Sequence, residues 1–215
     1  MDRLAKILES ARSGHHQACK SCARNPRKNT TSFARNCDEH FGVKQNGLII
    51  IARDPGASDG GSSHTGKICP IHNDDASAKR VLSKLALLRI PNQSVYFLNA
   101  ILHGYFDLNS KKSNNSERNY CKVILTEILD ILNPTSILAL GIEALQSSIE
   151  ILQNSNIKKP TMKDMISQSF SFGKIAGVSI LAMPHPAYAS VNLGRYGLNE
   201  NEVWERIAIK INNLF

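Results

Sequence analysis

Apolar positions along the chain fall into two rhythms. Leu48–Ala52 is a continuous apolar run rich in β-branched residues, the pattern of a strand buried on both faces of a parallel sheet. Similar short runs recur at residues 94–99, 136–140 and 178–183. Between them the period lengthens to that of a helix. Val81, Leu82, Leu85 and Leu88 mark a helix over 77–88; Val123, Ile124, Ile128 and Ile131 mark one over 120–132; a third runs from 142 to about 153. Val203, Trp204, Ile207 and Ile211 stripe a terminal helix over 200–214, and Leu4, Ile7 and Leu8 a short one over 2–12. Residues 57–74, which hold Asp59, Gly60, Gly61, His64, Gly66, Cys69 and His72, read as a long loop. Residues 107–118, rich in Asn, Ser and Lys, read as an exposed one. No internal repeat is visible.

Strands that alternate with helices predict parallel βαβ units, and hence a three-layer α/β sandwich around a four-stranded parallel sheet. All four strands then end on the same side, where open α/β sheets bind their ligands. Three polar residues fall at those ends. Asp54 follows the first strand, where Pro55 removes a backbone donor and Gly56 permits a turn. Asn99 closes the second strand, and His185 follows the last, between Pro184 and Pro186. Each alone is a plausible turn residue. Together, from three strands, they make a candidate site.

Residues 1–46 form a separate expectation, an N-terminal helix and a basic arm ahead of an α/β unit over 47–215. No periodicity is visible between Cys22 and Phe41, and so long a loop needs something to hold it. Cys19-x2-Cys22 and Cys37-x2-His40 have the spacing of a structural zinc site; reduced, unliganded thiols are the plainer reading. Cys69-Pro-Ile-His72 offers another pair of donors. The chain has 215 residues, five cysteines and a formal net charge of +8, which together suit a reduced, intracellular protein with an anionic partner, nucleic acid first. No stretch approaches the roughly 20 apolar residues of a membrane span.

The motifs, taken in order, resemble the uracil-DNA glycosylase superfamily. Ala52-Arg53-Asp54-Pro55-Gly56 is similar to its water-activating loop, and Val95-Tyr96-Phe97-Leu98-Asn99-Ala100 to the strand whose terminal Asn reads uracil. Asn133-Pro134 through Leu140-Gly141 and Ala144 resembles its third strand and turn. His185-Pro186-Ala187-Tyr188 resembles its histidine loop, which enters the minor groove. The resemblance implies a cytoplasmic, monomeric glycosylase that excises uracil or another deaminated base from DNA. A binding module on the same fold, without catalysis, is the alternative. It assigns catalysis to Asp54 and His185, and base recognition to Asn99, Gly56, Ile68 and Cys69. DNA contacts fall to Tyr188, Ala189 and Val191 as a wedge and to Arg195 and Lys174 on phosphate. The family's usual stacking aromatic has no counterpart in sequence, since its place holds Ile68 and Cys69. Iron–sulfur members place two cysteines as Cys19 and Cys22 stand here. A [4Fe–4S] cluster on Cys19, Cys22 and Cys121, with Cys37 or His103, is therefore the alternative to Zn2+ on Cys19, Cys22, Cys37 and His40.

Overall fold

The computed structural model describes residues 2–28, 31–42, 45–57, 60–104 and 115–215. The principal elements, in chain order, are α1 (Asp2–Arg12), β1 (Leu48–Ala52), α2 (Ala76–Leu85), β2 (Val95–Asn99), α3 (Asn115–Leu132), β3 (Ser136–Leu140), α4 (Ile142–Gln153), α5 (Met162–Ser167), β4 (Ser171–Ile175), β5 (Val178–Met183), α6 (Ala189–Gly194) and α7 (Glu200–Asn212). Apart from its last residues, which begin α3, the loop expected at 107–118 lies largely outside the described residues.

Four strands pair in parallel in the order β2-β1-β3-β5, as the alternating pattern predicts. The sheet carries one strand more: β4 pairs antiparallel with β5 at the edge. Its sequence, Ser-Phe-Gly-Lys-Ile, has no buried side chain, so it shows no apolar run. Helices α1, α3 and α4 pack together on one side of the sheet, and α2, α6 and α7 associate on the other. The strands β1, β2 and β3 are apolar because both faces are covered; nearly every residue in them is buried. Two expected core positions face water instead, Leu82 at 43% exposure and Val123 at 51%. Their neighbours Val81 and Ile124, one helical step of about 100° away, take the inward face.

The N-terminal arm joins this body closely. Leu4, Ile7, Ala11, Cys19, Ala34, Cys37 and Phe41 belong to the same buried cluster as the sheet. Ser32–Phe33 pairs antiparallel with His103–Gly104, and Arg35–Asn36 pairs parallel with Lys67–Ile68. The long loop expected over 57–74 thus contains a strand, as well as the helical turn Ser62–Thr65. Asn36 then seals the open edge of β2, its Oδ1 accepting from the Phe97 N–H at 2.9 Å and its Nδ2 donating to the Phe41 carbonyl at 2.7 Å. An uncovered edge strand is a template for aggregation, and the arm removes it.

Candidate active site

Register places the three polar residues together. Ala52 pairs with Asn99, and the ladder continues past the strands, with Ala100 N–H donating to Ala52 O and Ile101 N–H to Arg53 O, both at 2.8 Å. Asp54 therefore leaves the sheet level with the end of β2. Its loop is braced from below. Gly56 N–H donates to Ser62 Oγ at 2.8 Å, and Ser63 Oγ donates to the Pro55 carbonyl at 3.2 Å. Gly104 lies so close beneath that a Cβ there would meet Pro55 Cβ and Ser63 Oγ, each at 2.9 Å.

Two guanidinium groups hold the Asp54 carboxylate. Arg53 Nε donates to Oδ1 at 2.6 Å, and Arg24 Nη1 lies 3.5 Å from Oδ2. Arg24 comes from the basic tract of the arm, yet its side chain is only 2% exposed. It also pairs with buried Glu117 at 3.0 Å and donates to the His103 carbonyl at 2.9 Å. The sequence carries no periodic signal that marks Arg24, and it was missed.

His185 caps a short 3-10 turn: its Nδ1 accepts from the Ala187 N–H at 3.3 Å. In the neutral ring the proton must then sit on Nε2, which leaves that atom a donor. Burial, and then the positive charge of Arg53, lower the His185 pKa below its ordinary value; Asp54, Asp75 and Glu143 oppose this. Gly141 turns the chain beside this loop at φ +103°, a conformation that L side chains rarely adopt. Arg80 pins the same loop, with Nη1 bonded to the Pro186 carbonyl, to Ser190 Oγ and to Glu200.

A cleft of about 470 Å³ opens here, lined among others by Asp54, Gly56, Ile68, Cys69, His185 and Tyr188. Phe97 lines it too, so an aromatic ring faces the cleft from the strand that ends in Asn99. Arg53, from the first motif, lines it as well, as do Asn73, Asp75 and Glu143, which no sequence pattern marks. Asn99 is not part of the lining. It is 1% exposed, and its Nδ2 has no hydrogen-bond partner among the described residues. An unpaired buried amide is costly.

The residues expected at DNA divide. Tyr188 and Val191 are 63% and 57% exposed beside the cleft, and Arg195 is exposed. Ala189 is instead fully buried, because it opens α6 on the inward face. Lys174 is exposed but pairs in register with Ser179, near the start of β5. The antiparallel course of β4 carries it to the end of the sheet away from His185.

The expected zinc set does not assemble among the described residues. Cys19 and Cys22 lie beside Cys121, whose thiol is pushed up to about 12 by burial first, with Cys22 and Cys19 adding. Cys37 and His40 sit elsewhere, in a group with Glu39 and His72 whose ligand atoms lie within 4.8 Å of one another. For the [4Fe–4S] alternative, Cys37 lies in the other group, whereas the buried His103, whose Nε2 has no hydrogen-bond partner among the described residues, follows Leu102, whose N–H donates to Cys121 Sγ at 3.5 Å.

A family model described as the uracil DNA glycosylase superfamily matches residues 39–208. No curated protein matches the chain.

Proposed function

Since the chain belongs to the uracil-DNA glycosylase superfamily, we propose that it is a DNA base-excision glycosylase, hydrolysing the N-glycosidic bond of uracil or another deaminated base. The observation that carries this reading is the hydrogen bond from Ala187 N–H to His185 Nδ1, which leaves Nε2–H as a donor at the same cleft as Asp54. Cleavage of an N-glycosidic bond develops positive charge on the sugar and negative charge on the departing base. Asp54, fixed between Arg53 and Arg24, offsets the first and orients the attacking water. His185 donates from Nε2 to the O2 of the leaving base. Asn99 is the base-reading amide of this proposal, with an acceptor for N3–H and Nδ2 for O4; because it is buried outside the cleft lining, the entering base has to uncover it. Gly56, Ile68 and Cys69 wall the base in, and Phe97 offers it a ring face.

A base in a duplex must leave the stack to reach such a cleft. Tyr188, exposed at its rim, fills the gap, and Arg195 meets phosphate. The enzyme acts on DNA in the cytoplasm as a monomer. The test is a labelled oligonucleotide with one uracil, single- and double-stranded, incubated with the protein, treated with alkali and resolved on a gel. Strand scission at the uracil is expected. Binding without scission at uracil or any other deaminated base would leave a nucleic-acid-binding module on this fold.

A further inference from the structure

Two segments far apart in sequence form the same local structure side by side. Arg35–Asn36 and Lys67–Ile68 are parallel partners, with Asn36 opposite Ile68. Each runs directly into a Cys-x2-His turn: Cys37-Asp-Glu-His40 after the first, Cys69-Pro-Ile-His72 after the second. The turns close alike. His40 N–H donates to the Cys37 carbonyl at 3.0 Å, and His72 N–H to the Cys69 carbonyl at 3.1 Å. Because the strands are in register, like meets like. The buried Cys37 and Cys69 stand one residue past the paired Asn36 and Ile68, and the rings of His40 and His72 lie 4.9 Å apart. Ligand atoms of Cys37, Glu39, His40 and His72 are within 4.8 Å of one another; Cys69 stands outside that group and is brought beside it by the strand register.

We infer that Cys37, His40, Cys69 and His72 form a tetrahedral structural zinc site, which clamps the N-terminal arm to the wall of the cleft. Two thiolates and two imidazoles, from two tight turns, are the donor set of a closed zinc site. Glu39 shares this neighbourhood, but its carboxylate is already engaged by Lys67 Nζ at 2.8 Å and by His72 Nε2 at 3.2 Å. That second contact is the orienting role carboxylates take toward metal-bound histidines, and it leaves the other ring nitrogen of His72 for the ion. The clamp matters to the cleft because Ile68, Cys69, Pro70 and Asn73 line it. The proposal does not depend on glycosylase activity.

The test is metal content and spectrum. Full-length protein, purified without chelator, is expected to carry about one zinc per chain by mass spectrometry of the metal, and cobalt in its place should show thiolate charge-transfer bands and tetrahedral d–d bands. His72→Ala, at an exposed position that the fold tolerates, should weaken zinc retention by at least about 100-fold, since even loss of an outer hydrogen bond costs 10- to 100-fold. Cys69→Ser should do the same, whereas Glu39→Gln and Cys22→Ser should still hold about one zinc per chain. Folded wild-type protein without zinc, a disulfide between Cys37 and Cys69, or zinc that survives Cys69→Ser but not Cys22→Ser or Glu39→Gln would overturn the assignment.

Discussion

Arg24 and Asp54 meet beneath the cleft, Nη1 to Oδ2 at 3.5 Å, and the arginine that makes the contact is all but inaccessible to water. One cation from the arm thus serves two carboxylates, Asp54 and the buried Glu117.

Replacing Arg24 by Met should therefore cost stability as well as activity. It leaves Glu117 buried without its cation, a loss of about 3–5 kcal/mol for a broken buried pair. Urea unfolding measures it. The double variant Arg24→Met/Glu117→Leu should recover much of the loss. A single variant within about 1 kcal/mol of wild type would show that the pair is not integral to the fold.

Asp54→Asn keeps the shape and removes the charge. Single-turnover cleavage of a uracil duplex should slow by about 10²–10³-fold, with DNA affinity nearly unchanged. Equal rates would take Asp54 out of the mechanism. Asn99→Asp should change which base is cleaved, because a carboxylate has no donor for O4.

The pH profile should report His185. Only the neutral ring donates from Nε2 while Nδ1 accepts, and burial and Arg53 hold the pKa below its ordinary value of 6.5. Activity should therefore persist through neutral pH, and its acidic limb in kcat/KM should fall below 6.5. Arg53→Gln removes a nearby positive charge, so protonation becomes easier and the limb should move to higher pH. A limb that moves down instead would separate the profile from His185.

His103 predicts the acid stability. Burial lowers its pKa to about 4 from an ordinary 6.5. The unfolded chain then binds a proton that the folded one refuses, so stability falls as pH drops from 6.5 toward 4. The slope from this group is at most about 1.4 kcal/mol per pH unit. His103→Gln should flatten the pH dependence of the unfolding midpoint across that window; an unchanged slope would exclude the histidine as its source.

The parallel strands were legible because burial on both faces demands unbroken apolar runs such as Leu48–Ala52. Asp54, Asn99 and His185 were legible for the same reason, as polar residues at the ends of such runs. The fifth strand was not, since an edge strand with Gly173 and Lys174 half in water needs no apolar pattern. Nor was Arg24, one basic residue among Arg27, Lys28 and Arg35, which are all exposed. Spacing reveals that Cys37-x2-His40 is a tight turn, but not which turn it faces. That is decided by the pairing of Arg35–Asn36 with Lys67–Ile68, a long-range event that local sequence does not encode.

Arg24 also has a consequence for how the protein is made. Its partners Asp54, His103 and Glu117 all lie downstream, the His103 carbonyl by 79 residues. During synthesis Arg24 emerges before all three partners, and its full set of contacts waits until Glu117 has followed. Seating the arm is then among the late events of folding, and closing so long a loop carries an entropic cost that only the finished sheet can offset.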